Sequence, residues 1–281
     1  MARRVWGDGV SGCAAMVFLW LCAEASLQPR ARPWFTALWI WGAYFLLLKE
    51  SAGFFFGLCV LGLAILSWLQ YRSRNRVAWI LAGGAGTALC GFALMAIMCG
   101  GIQPALETLR HSAQAAPGNI YGAAYQTGPW YSLPLALWVL GPLAAFGCAA
   151  ALLAQLLPGH SLKCVLSLNQ RQQAVAIGMS ALIILMIAAI SWAPALKNLR
   201  YISFIQGPWY LMAALGLSYI VARFRSILGP RAAMPITVAA VLVVLFSCWS
   251  DYARYRELAV RRGMRDLDIR HAVTMPFEPD T

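Results

Sequence analysis

The chain has 281 residues, 61% of them hydrophobic and only 11% charged, with 22 Lys and Arg against 10 Asp and Glu for a formal net charge of +12. Soluble domains average nearer half apolar and a quarter charged. Here the apolar residues come in long blocks rather than alternating or helical stripes, which excludes a soluble globule and an outer-membrane barrel of short alternating strands.

The blocks predict an all-α fold: a polytopic integral membrane helical bundle of about eight spans. In chain order they cover roughly residues 10–27, 34–48, 51–71, 77–98, 130–157, 174–192, 202–221 and 236–249. Residues 1–249 then form the transmembrane domain and 250–281 a short extracytoplasmic tail. The first block has a second reading as a secretory signal, because Arg3 and Arg4 precede the apolar run and "AEA" (23–25) precedes Ser26. The second block is short, and only Lys49 and Glu50 part it from the third. Both a tight re-entrant corner and a long broken helix fit that spacing.

The cations lie scattered in the gaps between blocks rather than in one basic domain, which sets nucleic acid aside as a partner. Short loops rich in Lys and Arg stay cytoplasmic. "YRSRNR" (71–76), the segment with Lys163 and Arg171, and the segment with Arg223, Arg225 and Arg231 fall on one side by strict alternation and are predicted to face in. Lys49–Glu50, the long loop from Cys99 to Pro129 between the fourth and fifth spans, the segment from Ala193 to Tyr201 and the tail are then predicted to face out. Every unusual polar feature of the sequence lands on that outer face.

Three groups of residues on it carry candidate chemistry. Lys49 with Glu50 is either a pair that snorkels to the interface or the rim of a cavity that takes a phosphate. In the long loop "PALETLRHSAQ" (104–114) predicts an amphipathic helix lying at the interface, with Leu106, Leu109 and Ala113 on one side. Tyr121, Tyr125, Trp130 and Tyr131 follow, read either as an aromatic belt or as a lid that shapes a substrate rim. In "KNLRYISFIQGPWYL" (197–211), Lys197 and Arg200 stand outside against the positive-inside tendency. Anionic headgroups would account for them, and so would one lipid-borne phosphate clamped by Arg with a hydroxyl from Tyr201. The eight cysteines lie mostly inside apolar blocks and read as small buried residues, and the three histidines show no ligand spacing. No nucleophile elbow, zinc-protease helix, phosphate loop or dinucleotide fingerprint is present. "GPWY" occurs twice, at 128–131 and 207–210, without any wider internal repeat.

The order of these elements resembles the C-terminal half of the GT-C membrane glycosyltransferases, in the branch with protein mannosyltransferases and lipid A aminoarabinose transferases. The resemblance rests on "LLLKESAGFFFGL" (46–58), "TGPWYSLPLAL" (127–137), "NLRYISFIQGPWYLMAALGL" (198–217) and the closing "DYARYRELAVRRGMRDLDIR" (251–270). It implies transfer of a hexose or pentose from a polyprenyl-phosphate donor to an acceptor at the outer face of a bacterial inner membrane. Lys49, Arg200, Tyr201 and Lys197 would hold the donor phosphate, and Tyr121, Tyr125, Trp130 and Tyr131 would shape the acceptor side. No cofactor is implied beyond the lipid-linked sugar. The family's catalytic Asp-Glu loop has no counterpart before "KES", so the resemblance further implies an N-terminally shortened member or one whose other half is a separate chain. The alternatives are a non-catalytic membrane protein that binds or moves a lipid phosphate, and a small transporter.

Overall fold

The computed structural model describes residues 2–28, 32–48, 52–118, 128–157, 161–193 and 204–257. The described residues form helices in the order α1 (Ala2–Leu27), α2 (Arg32–Leu46), α3 (Ala52–Tyr71), α4 (Arg74–Met98), α5 (Ile102–Gly118), α6 (Ser132–Leu140), α7 (Pro142–Leu156), α8 (Leu162–Leu166), α9 (Gln170–Trp192), α10 (Gln206–Leu228), a 3-10 turn (Pro230–Ala232) and α11 (Ala233–Tyr255). No strand occurs among them. Among the described residues, six stretches are long and apolar enough to cross a membrane: Val10–Leu27, Ala52–Tyr71, Arg74–Met98, Gln170–Trp192, Gln206–Leu228 and Ala233–Ala253. The chain is an all-α, polytopic, integral membrane protein.

The two remaining predicted spans differ from expectation. Residues 130–157 form two helices, α6 and α7, bent by 117° at the break, and they count as a seventh span only if taken together. Pro142 explains the break: it has no N–H to give and its ring clashes with the carbonyl four residues back. α2 has 15 residues, about 22 Å of helix against a hydrocarbon core of about 30 Å. It does not run on into α3. A methyl group at Gly42 would lie 2.8 Å from the Phe56 ring, whereas 14 residues of straight helix would separate them by about 21 Å. The chain therefore turns a corner between α2 and α3. The predicted division at 249/250 falls inside α11, which continues to Tyr255.

The chain divides into two compact units, Met1–Ala123 with Tyr201–Gly207, and Ala124–Arg200 with Pro208–Thr281. In the first, large rings fill sockets left by small residues. Phe18, Phe45, Phe55 and Phe204 are fully buried. Phe18 stacks on Phe45 with ring centres 5.5 Å apart, and Phe45 meets Phe55 at 5.6 Å. α4 offers a stripe of Ile80, Gly84, Thr87 and Gly91, buried at helical spacing. Val60 lies over Gly84 and Leu46 over Gly91, so close that a methyl at either glycine would sit 2.7 or 3.2 Å from them. Without a hydrophobic drive between helices in lipid, such close approach is the main source of association. The Trp41 indole N–H adds a tie, donating to the carbonyl of Ala14 at 3.0 Å.

In the second unit the backbones themselves meet. Gly147 on α7 faces Gly216 on α10. A methyl on Gly147 would lie 2.6 Å from the Ala213 carbonyl oxygen, and one on Gly216 would run into the Gly147 carbonyl and lie 2.8 Å from the Ala151 nitrogen. α7 is also tied to α9: the Gln155 amide donates to the Ser180 hydroxyl at 2.8 Å, and that hydroxyl donates to the Ala176 carbonyl at 2.8 Å. α9 opens on a complete capping box between Asn169 and Gln172.

Candidate functional site

Six of the eight candidate site residues, Lys49, Tyr121, Tyr125, Lys197, Arg200 and Tyr201, lie outside the described residues, as does the tail from 258 onward. Trp130 and Tyr131 are described. What the structure contributes is the framework from which these segments depart.

Phe204 is the informative anchor. It stands three residues after Tyr201 and is fully buried. Its ring lies 5.4 Å from Phe45 and 5.3 Å from Phe55. Phe45 closes the end of α2 and Phe55 opens α3, so these are the two helices that the Lys49–Glu50 segment joins. The backbone tightens as α2 ends, with Leu47 donating to Tyr44 at 3.0 Å and Leu48 to Phe45 at 3.1 Å. The last described turn before Lys49 and the first described residue after Tyr201 thus meet in one aromatic cluster. Nothing in the sequence spacing signalled this, because the partners are about 150 residues apart. The only available hint was that Phe204 follows two cationic positions inside an apolar run.

In the second unit, Trp130 and Tyr131 begin a turn into α6. Gly128 takes a left-handed φ of +148°, and Ser132 donates both its N–H (3.1 Å) and its hydroxyl (2.8 Å) to the Pro129 carbonyl. This brings out a partner that sequence reasoning missed, Trp192 at the end of α9. The Trp130 and Trp192 rings are 6.5 Å apart and within 16° of parallel, and Tyr131 meets Trp130 edge-on at 5.9 Å. All three are more than half exposed. Aligned indoles present a broad flat face with polar N–H edges, suited both to a headgroup boundary and to the CH-rich face of a sugar ring. The second "GPWY" differs in backbone: Gly207 to Tyr210 lie within the first turns of α10, where Pro208 is tolerated because the N–H it lacks has no helical partner.

The opposite end of the first unit holds a second polar cluster. The Arg76 guanidinium donates through Nη2 to the Ala25 carbonyl at 2.7 Å and to the Gln28 carbonyl at 3.4 Å. It lies over the Tyr71 ring at 4.1 Å and faces Phe35 at 5.6 Å. The Tyr71 hydroxyl donates to the Ser26 carbonyl at 3.0 Å. Three carbonyls at the C-terminal end of α1, the negative end of its dipole, are thereby satisfied. The C-terminal end of α1 and the start of α4 consequently lie at one end of the unit. Arg76 read in the sequence as one more loop cation; in the fold it is a latch. Among the described residues no three His, Cys, Asp or Glu side chains come together in a way that could hold a metal ion.

Comparison with protein-family models, with curated proteins and with solved structures returns no match for this chain.

Proposed function

We propose that the chain belongs to a membrane glycosyltransferase that moves a sugar from a polyprenyl-phosphate donor to an acceptor at the extracytoplasmic face of a bacterial inner membrane. One observation supports this reading above the motif order: Phe45 and Phe55, on either side of Lys49 in the chain, pack against Phe204, three residues after Tyr201.

In this reading Lys49, Lys197 and Arg200 hold the donor phosphate, with Tyr201 adding a hydroxyl. The acceptor hydroxyl attacks the anomeric carbon and the bond from that carbon to the phosphate oxygen breaks. The electron pair leaves on the phosphate, where the cations stabilise it. A carboxylate takes the acceptor's proton. In this reading that base is the family's Asp-Glu pair, which a partner chain carrying the N-terminal half would supply. Tyr121, Tyr125, Trp130 and Tyr131 shape the acceptor side, joined by Trp192.

The test is binding of a long-chain polyprenyl phosphate to the protein in vesicles, followed by transfer once the chain carrying the base is added. Arg200→Ala is expected to weaken binding about ten-fold or more, and Arg200→Lys less, because a bidentate fork is lost in both but the charge in only one. Unchanged binding by Arg200→Ala overturns the assignment. Binding without transfer under every pairing favours the second reading, a protein that holds or moves a lipid phosphate without chemistry.

A further inference from the structure

α5 is an amphipathic helix whose apolar side is left uncovered by the protein. At 100° per residue, Ile102, Leu106 and Leu109 fall within a sector of about 60°, with Gln103, Glu107 and Arg110 beside it on the next. Ile102 is 64%, Leu106 49% and Leu109 39% exposed, whereas Ala105, at the stripe's other margin, is fully buried. One side of the helix therefore rests on the protein and the apolar stripe does not. The polar side is self-contained: the Gln103 amide donates to the Glu107 carboxylate at 3.2 Å, and the Thr108 hydroxyl to the Pro104 carbonyl at 2.8 Å.

What covers the stripe follows from the helix it grows out of. α4 is a membrane span, and its last turns expose Leu94, Ile97 and Met98, the last two by more than three quarters. Gly100 and Gly101, with φ of +81° and +152°, turn the chain sharply between α4 and α5. Side chains other than glycine rarely take up those angles. Just past that turn the apolar surface resumes at Ile102. No charged residue parts the exposed end of α4 from Ile102 in the chain.

We infer that α5 lies in the plane of the membrane at the end of α4, with Ile102, Leu106 and Leu109 sunk at the boundary between headgroups and acyl chains. Glu107 and Arg110 cancel in charge, so apolar burial rather than attraction to anionic lipid holds it there. The inference is independent of the proposed sugar transfer and stands or falls without it.

The experiment places the photoreactive benzoylphenylalanine, one site at a time, at Leu106, Leu109, Glu107 and Arg110 of the full chain. The protein is reconstituted in phosphatidylcholine vesicles, with and without phosphatidylglycerol. Lipid adducts at 106 and 109 are expected to exceed those at 107 and 110 by about ten-fold, equally in both vesicle types. Equal yields at all four sites, adducts to protein at 106 and 109, or yields that rise with phosphatidylglycerol overturn the inference. A smaller substitution guards against a disturbed fold: an aqueous maleimide should modify Glu107→Cys about ten times faster than Leu106→Cys, and equal rates overturn it as well.

Discussion

In the first unit side chains enter sockets: Phe56 lies over Gly42, Val60 over Gly84, and Phe204 closes the cluster of Phe45 and Phe55. In the second, Gly147 and Gly216 let two backbones cross with nothing between them. α10 belongs to both arrangements. Near its start a methyl on Gly207 would meet the Met16 thioether; nine residues on, a methyl on Gly216 would meet peptide atoms of α7. A thioether chain can swing aside, and a helix backbone cannot. The same glycine, in the same helix, is therefore replaceable at one site and fixed at the other.

Breaking the ring packing should cost most. Phe204→Ala removes a fully buried ring and is expected to cost about 3–5 kcal/mol, read as a fall in the unfolding midpoint in mild detergent titrated with SDS. Phe204→Leu should recover much of it. The glycine pair comes next and sharpens the contrast directly. Gly216→Ala is expected to cost about 1–3 kcal/mol, while Gly207→Ala stays within about 0.5 kcal/mol. Equal losses in the same titration would mean that both sites are limited by backbone. Arg76→Gln, which leaves the carbonyls of Ala25 and Gln28 without their guanidinium, should cost about 1–2 kcal/mol. Arg76→Lys should not restore it, because an ammonium lacks the planar face that lies over Tyr71; rescue by lysine would reduce the latch to simple charge. The smallest effect belongs to Ser180→Ala on the second unit's polar tie, about 0.6 kcal/mol, measured against Gln155→Leu and the double variant to isolate the pair.

The fold class was legible because lipid imposes it: a chain with long apolar blocks must satisfy its backbone within helices. Positions of most spans followed from the same constraint. The break at Gly141–Pro142 was written in the sequence as well, yet the unbroken apolar composition on both sides outweighed it in reading 130–157 as one span. Composition cannot report on packing partners. Phe204 looks like any other Phe in an apolar run, and Trp192 like any tryptophan at the end of a span; what distinguishes them is which ring lies opposite. Of the candidate site, the aromatic pair Trp130 and Tyr131 was legible and its third member was not. The cations were legible as types suited to phosphate, and the packing of Phe204 on Phe45 and Phe55 was not, because it depends on contacts made across about 150 residues.

That long-range closure bears on how the protein is made. At roughly 5–20 residues per second, the ribosome reaches Phe204 about 7–30 s after Phe55. From the completion of α4 at Met98 onward, α1 to α4 are present with the buried place between Phe45 and Phe55 still empty. The first unit to be synthesised is thus completed by a residue from late in the chain, after most of the second unit's helices have entered the membrane. A pause or release of the nascent chain before residue 204 leaves a set of inserted helices with an open aromatic socket, the kind of species that membrane quality control would meet first.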